Sequence, residues 1–424
     1  MIDATPGVPP HIAMLLNEEF DLADGRRSMR KLKGMLRELK DQSQSASSFA
    51  LPIQTNEFDG FKAVLSGGLD LFAGQGACQA VPCRVSYARQ ISRSIALMAD
   101  QVVASDTFFD TINSLKSRPT IEEAFPLLCD LVVLKQVKPL IAAGLLKFSP
   151  PFSGLCSNCI TSFDARIDQL TDRALREFGA SLKVERDGDG HSIDFGAMYS
   201  PGIHVHLNDE FLRGKNDSEV IRSVLRESIK TIFLDAKSAS WQGGSVFSNS
   251  NAGISALLSE DGRLLDSWDL RAFSAERSAN LPWISGLTIE QTLNLRNEAS
   301  SALPALREFM ARRLSADPSS PFNTHWRDTV SELREQAAQV RSELEISISR
   351  SSTIRRNATG ILGLCVSAVC LGTQGGEAAL GGLLSTLGLI HSLPAKDSLP
   401  TKQIKAKPGY VLVAAEDILR HAAK

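Results

Sequence analysis

The sequence predicts an α+β fold that is predominantly α-helical, with a small antiparallel sheet around residues 180–207 and a glycine-rich apolar helical hairpin near the C-terminus. Three observations predict this fold. Apolar residues recur at three- and four-residue intervals through most of the chain. An Asp-Gly-Asp-Gly turn at 187–190 separates two strand-like runs. Residues 358–394 are almost free of charge.

Length and composition bound the class of protein. A chain of 424 residues is long enough for two or three domains. Its 46 basic residues nearly cancel its 48 acidic ones, so net charge gives no reason to expect binding to nucleic acid. Seven thinly spread cysteines and an N-terminus without a secretory pattern favour a cytoplasmic protein with reduced thiols.

The first predicted domain, residues 1–50, is an N-terminal arm with a basic amphipathic helix that begins near Asp24. Its apolar residues, Met29, Leu32, Leu36 and Leu39, have helical spacing, and the opposite face is rich in arginine and lysine. That face can contact phosphates, but neighbouring acidic residues and the lack of interleaved aromatic residues favour a solvated surface.

The second predicted domain, residues 51–240, combines helices with strands. A helix from about residue 84 has this apolar face: Val85, Ala88, Ile91, Ile95, Met98 and Val102. Thr120 and Glu123 form a capping-box pattern before a buried helix, which Pro126 and Pro139 are expected to kink or split. A strand is predicted near residues 145–150, and the Asp-Gly-Asp-Gly hairpin and the alternating segment at 202–207 supply the small sheet.

The third predicted domain, residues 255–424, is helical. Residues 242–253 form a polar, glycine-containing loop before it. A long helix is predicted at about 321–356, and the apolar hairpin at 358–394.

Four cysteines have spacings that suit a structural zinc ion. Cys156 and Cys159 are separated by two residues, and Cys78 and Cys83 by four. Two thiolates two residues apart can reach one tetrahedral metal ion, and the second pair can complete the set of four ligands. The alternative is that these are ordinary cysteines, with no cofactor.

Two histidines offer a different metal or catalytic site. His204 and His206 alternate along a predicted strand, so both imidazoles lie on one face, with carboxylates nearby in sequence. The established phosphate-loop, dinucleotide, nucleophile-elbow and zinc-protease motifs are absent from the sequence, which favours a protein that is not an enzyme.

The apolar tail has two interpretations. Each of its two apolar runs is shorter than the roughly 20 residues of a membrane-spanning helix. A buried hairpin is therefore favoured, and insertion into a membrane on activation is the alternative.

Two segments resemble uncharacterised bacterial proteins, some of which lie near mobile-element or defence genes. These segments are VKPLIAAGLLKFSPP followed by CSNC, and NLPWISGLTIEQTLNLRNEASSALPALREFMARRL. The resemblance implies a bacterial protein of phage defence or stress response, and it carries no functional residues over.

Together these features predict a cytosolic interaction or accessory protein that acts through protein–protein contacts or self-association. The long helix at 321–356 and the loop at 242–253 are its predicted contact surfaces. Two alternatives remain: a membrane-acting effector that uses 358–394, and a metal-dependent hydrolase or nuclease that uses His204 and His206.

Overall fold

The computed structural model divides the chain into two units, residues 1–280 and residues 281–424. It describes residues 7–20, 24–47, 62–72, 81–149, 157–187, 190–196, 204–207, 214–242, 244–248, 250, 252–253, 256, 286–314, 322–353 and 399–422. The predicted boundaries near residues 50, 240 and 255 stay predictions.

A four-stranded parallel sheet, which the sequence did not lead us to expect, organises the first unit. Its strands are β1 (Lys62–Ser66), β2 (Gln101–Ser105), β3 (Leu146–Ser149) and β7 (Ser245–Ser248). Their spatial order is β3-β2-β1-β7, and every neighbouring pair is parallel. The fold class is thus mostly helical, as predicted, but it contains a parallel sheet beside the antiparallel one.

Helices cover this sheet. The helices of the first unit whose bounds lie in described residues are α1 (Pro10–Asn17), α2 (Gly25–Ser47), α3 (Val81–Met98), α4 (Thr107–Ser114), α5 (Ile121–Ala142), α6 (Ser157–Phe178) and α7 (Asp217–Trp241). Crossover connections between parallel strands are right-handed. The connections that contain α3 and α5 run from β1 to β2 and from β2 to β3, in the same direction across the sheet, so these two helices lie on one face. The connection that contains α7 runs back across β1 to β7, so α7 lies on the other face. Contacts agree: α3 packs on α5, whereas α7 packs on β1 and β7.

Residue alternation along the strands separates the two faces. Val64, Val103 and Val246 pack with residues of α7 in one apolar cluster. Their neighbours Ala63 and Val102 are also buried. Strands buried on both faces are continuously apolar rather than alternating, which is why β1 and β2 lack the period-two pattern.

The strand β2 corrects the predicted helix that included Val102. The helix α3 ends at Met98, and Val102 pairs with Ala63 of β1 and Leu146 of β3. The helical spacing of apolar residues happens to extend to Val102, but backbone pairing with β1 and β3 makes this segment a strand.

The helix α5 begins as predicted. Thr120 Oγ1 accepts a hydrogen bond from the Glu123 amide, and Glu123 accepts one from the Thr120 amide. Pro126 and Pro139 lie within one continuous helix, so the chain is not split there. The helix ends before Gly144, whose φ of 71° is readily adopted only by glycine among common residues.

A buried ion pair joins α3 to α5. Arg84 Nη2 lies 2.5 Å from Asp130 Oδ1, and both residues are buried. Burial raises the pKa of Asp130, and the hydrogen bond and charge of Arg84 oppose that rise.

The predicted hairpin and third strand are confirmed as a separate antiparallel sheet. It consists of β4 (Lys183–Asp187), β5 (Gly190–Asp194) and β6 (His204–Leu207), in that order. Ile193 and Phe195 pack with apolar residues of α6 and α7 in a second core.

Charges also join α6 to α7. Arg226 on α7 pairs with Asp164 and Asp168 on α6, at 3.2 and 2.8 Å. The hydrogen bond from Lys230 is the main reason that the pKa of Asp164 is lowered. Residues four apart on each helix form this ladder, so it runs along the outside of the helix pair.

The second unit is helical in its described residues. Its helices are α8 (Ile289–Glu298), α9 (Leu303–Leu314), α10 (Phe322–Thr353), α11 (Leu399–Lys405) and α12 (Tyr410–Ala422). The long predicted helix is α10, which packs against α9, α11 and α12. Arg341 of α10 pairs with Glu416 of α12, and Lys407 Nζ lies 2.6 Å from Glu343 Oε2.

The predicted apolar hairpin at 358–394 lies outside the described residues. None of the described helices combines the length and hydropathy that a bilayer crossing requires.

Substituting Gly409 tests the close approach of α12 to α10. A Cβ there would lie 2.5 Å from the carbonyl carbon of Gln336 and 2.6 Å from the Ala337 nitrogen. We expect Gly409→Ala to lower the free energy of unfolding by about 1–3 kcal/mol, because backbone atoms cannot yield as side chains do. Gly34→Ala on α2 is the matched control: its Cβ meets nothing within 4 Å. Gly34→Ala should raise the free energy of unfolding by about 0.5–1 kcal/mol. Denaturant unfolding of both variants measures the contrast, and equal effects would contradict the packing.

A double-mutant cycle tests the buried pair of Arg84 and Asp130. Arg84→Met or Asp130→Leu alone should cost about 3–5 kcal/mol of unfolding free energy, because each leaves a buried charge without its partner. The double variant should recover most of that loss. Additive losses in denaturant titrations would show that the two side chains do not depend on each other.

Candidate functional site

The carboxyl edge of the parallel sheet concentrates polar side chains. Each of its four strands ends in a serine: Ser66, Ser105, Ser149 and Ser248. After β1 the chain adds β2 and then β3 on one side of β1, whereas β7, which comes later in the chain, pairs with the other side of β1. In open α/β sheets, ligands bind outside the carboxyl ends of strands where the direction of winding reverses. Here that position lies between β1 and β7.

Three side chains meet at this position. Ser66 pairs in register with Ser248, and both are fully buried. Because side chains alternate along a strand, Ser66 lies on the same face as Val64, which packs on α7. On that face, Ser66 Oγ donates a hydrogen bond of 2.5 Å to Oδ2 of Asp235 on α7.

A second carboxylate follows β1 in the chain. Asp70 is 6% exposed and comes directly after a 3-10 turn at Gly67–Leu69. Its Oδ1 accepts a 2.9 Å hydrogen bond from the Phe72 amide, which holds the carboxylate in the loop. Asp70 and Asp235 are close enough to interact electrostatically.

Hydroxyl groups shape the chain after β7. The Ser250 amide donates to Ser248 Oγ, and the Gly253 amide donates to Ser250 Oγ, both at 3.1 Å. We define the switch-point cluster as Ser66, Asp70, Asp235, Ser248 and Ser250. All five residues are buried.

The environment of Asp235 changes its acidity. Its pKa is raised from 3.8 to about 7, mainly because burial disfavours the charged form. The hydrogen bond from Ser66 opposes this rise, and the charge of Asp70 adds to it. A carboxyl group that exchanges its proton near neutral pH can serve as a general acid or base, and such groups are concentrated at functional sites.

A second buried polar pair lies at the end of β2. Asp106 caps α4 by accepting from the Phe109 amide, and His11 Nε2 of α1 lies 2.9 Å from Asp106 Oδ2. His11 is completely buried, and its Nδ1 has no hydrogen-bond partner among the described residues. Because the pair joins α1 to the residue that follows β2 and caps α4, we assign it to anchoring α1 on the sheet.

The predicted zinc ligands are only partly described. Cys83 lies in the first turn of α3 and Cys159 in the first turn of α6, and both are exposed. Cys78 and Cys156 lie outside the described residues. No group of three or more potential ligands for a metal ion occurs among the residues that the structure describes. The four-cysteine zinc site stays a prediction.

The two histidines lie on β6 as predicted. The backbone of His204 pairs with Asp194 and that of His206 with Ser192. Their side chains lie outside the described part of the chain. A catalytic or metal-binding role for them stays a prediction.

Sequence reasoning missed the switch-point cluster, although two signals for it are present. Asp235 lies in line with Ile232 and Ala239 at helical spacing, so a carboxylate interrupts an apolar stripe. The segment at 242–253, interpreted as a loop, contains β7 and two of the buried serines. Because this segment is rich in polar residues and glycine, its four-residue strand was not predicted.

No protein-family model, curated protein or solved structure matches this chain.

The pH dependence of stability tests the environment of Asp235. The unfolded chain releases this proton near pH 3.8, whereas the native state keeps it until about pH 7. The native state therefore binds more protons in this interval, and its stability falls as pH rises through it. Relative to Asp235→Asn, the wild-type free energy of unfolding should decline between pH 3.8 and about 7 and then stay constant.

Denaturant titrations at several pH values measure this difference. Asp41→Asn on α2 is the control, because Asp41 is exposed and water already hydrates its carboxylate. A difference between wild type and Asp235→Asn that does not change with pH would contradict the assignment.

Proposed function

We propose that this protein binds a small polar organic molecule at the carboxyl edge of the parallel sheet, between β1 and β7. The observation that carries the proposal is the buried hydrogen bond between Ser66 and Asp235 at the point where the winding reverses. Burying a carboxyl group whose pKa lies near neutral lowers the stability of the folded protein. A role in ligand binding would explain why the fold keeps such a group at this position.

The chemistry of the cluster selects the ligand class. Its ionisable groups are two carboxyls, Asp70 and Asp235, and its other members are hydroxyls. Carboxylates accept hydrogen bonds and repel phosphate, so the matching ligand offers hydroxyl or amino groups. Asp235 would accept a proton from such a group or return one, with Ser66 orienting its carboxyl oxygen.

A second proposal is the interaction or accessory role in the bacterial cytosol, in phage defence or stress response. Its support is an exposed apolar pair at the start of α5. Ile121 and Phe125 are one helical turn apart and are 47% and 58% exposed. Exposed apolar pairs of this kind are typical of contact surfaces when they belong to a larger patch.

Two further proposals rest on the sequence alone. A membrane-acting effector would use residues 358–394, and a metal-dependent hydrolase or nuclease would use His204 and His206. The membrane proposal is tested by comparing liposome leakage caused by the full chain and by a chain without residues 358–394. The hydrolase proposal is tested by comparing hydrolysis by the wild type with hydrolysis by His204→Ala.

Thermal denaturation with adenosine, ribose and putrescine tests the leading proposal. These probes offer hydroxyl or amino donors and carry no phosphate. A molecule that binds only the native state raises the melting temperature by mass action, by a few degrees at about 100 times its dissociation constant. We expect at least one probe to do so, and Ser66→Ala and Asp235→Asn to abolish the shift.

Ser92→Ala is the matched control, since Ser92 is an equally buried serine on α3. Its response to each probe should equal that of the wild type. Absence of a shift with all three probes, or a full response in Ser66→Ala, would contradict the proposal.

A further inference from the structure

An open cleft lies between the end of α1 and the first turns of α2, away from the switch-point cluster. Its volume is about 550 Å³, within the range of small-molecule sites. The residues that line it are Glu19, Phe20, Arg27, Ser28, Arg30 and Lys31. The lining contains three cations and one carboxylate, Glu19, so the cleft is basic although the whole chain has a net charge of -2.

Two of the cations have no carboxylate partner within the part of the chain that the structure describes. Arg27 and Arg30 are three residues apart on α2, and both are exposed. Neither forms an ion pair with a carboxylate among the described residues. Like charges at this spacing repel each other, so an anion between the two guanidinium groups is favourable.

The third cation is already held by the protein. Lys31 Nζ lies 2.6 Å from Glu18 Oε2 and donates to the Glu19 carbonyl at 2.7 Å. These contacts fix the end of α1 against α2 and keep the cleft in shape. They leave the arginines as the groups that can bind an anion from solution.

The backbone at the start of α2 is also satisfied. Asp24 Oδ1 accepts hydrogen bonds of 3.1 Å from the amides of Arg26 and Arg27. An anion in the cleft would therefore be recognised by side chains and not by the end of the helix. Paired guanidinium groups suit phosphate in particular, because each can bind two of its oxygens.

An aromatic ring completes the cleft. Phe20 is half-buried, and the Lys31 ammonium lies 5.6 Å from the centre of its ring. An aromatic wall beside two arginines suits a ligand that combines a phosphate group with a planar apolar group.

We propose that this cleft binds a small phosphorylated molecule with an aromatic group, of the size of a nucleotide. Arg27 and Arg30 bind the phosphate groups, and Phe20 packs against the aromatic group. The basic residues farther along α2 are interspersed with exposed Glu38 and Asp41, which disfavours an extended polyanion such as RNA. This site is independent of the ligand proposed for the switch-point cluster.

Isothermal titration calorimetry of the full chain with ATP and with inorganic pyrophosphate tests the proposal. We expect both probes to bind, with affinity falling at least about tenfold in Arg27→Gln/Arg30→Gln, the loss of about 1.4 kcal/mol. Lys33→Gln/Arg37→Gln is the matched control, because it removes the same charge from exposed positions of α2 outside the cleft. It should change affinity less than about twofold, a difference of a few tenths of a kcal/mol.

A substitution of Phe20 separates the two parts of the site. Phe20→Leu should weaken ATP binding and leave pyrophosphate binding unchanged. Circular dichroism checks that each variant keeps its helices.

Three outcomes would overturn the proposal. The first is that neither probe binds at millimolar concentration. The second is an equal loss of affinity in the two paired-charge variants, which would indicate general attraction to α2. The third is tighter binding of single-stranded RNA or of phosphatidylserine vesicles that depends on Lys33 and Arg37 as much as on Arg27 and Arg30.

Discussion

The parallel pairing of β1 with β2 on one side and β7 on the other is the constraint on which the first unit depends. Parallel strands need crossover connections, so the pairing requires helices on both faces of the sheet. It also brings the ends of strands that are far apart in the sequence to one edge. Ser66 and Ser248, which are 182 positions apart in the sequence, become neighbours for this reason.

The helix α7 connects this edge to the rest of the unit. Ile232 and Ala236 belong to the apolar cluster on the parallel sheet, whereas Leu225 and Ile229 belong to the core under the antiparallel sheet. Asp235 is buried on the same stripe of α7. The protein tolerates a carboxyl group there because Ser66 donates to it and because it can keep its proton near neutral pH. An apolar residue would avoid that cost, which is the physical ground for proposing a binding role for Asp235.

Two of the polar regions that the structure describes in the first unit have opposite character. The switch-point cluster is buried and acidic, and suits ligands that donate hydrogen bonds. The cleft at α2 is open and cationic, and suits phosphate. His11 joins α1 to the end of β2 through Asp106, so the wall of the cleft is anchored to the edge of the sheet that carries the cluster.

The sequence by itself determined the local elements. The capping box of Thr120 and Glu123, the hairpin at Asp-Gly-Asp-Gly, the strand β3 and the long helix α10 each follow from residues close together in the chain. Only the tertiary structure decided the parallel sheet and the candidate sites. The strands β1 and β7 are four or five residues long, and pairing with distant strands, not local pattern, makes them strands. Likewise Asp235 is a candidate functional residue because folding buries it beside Ser66. That burial depends on contacts between residues far apart in the chain, so the local sequence around Asp235 barely indicates it.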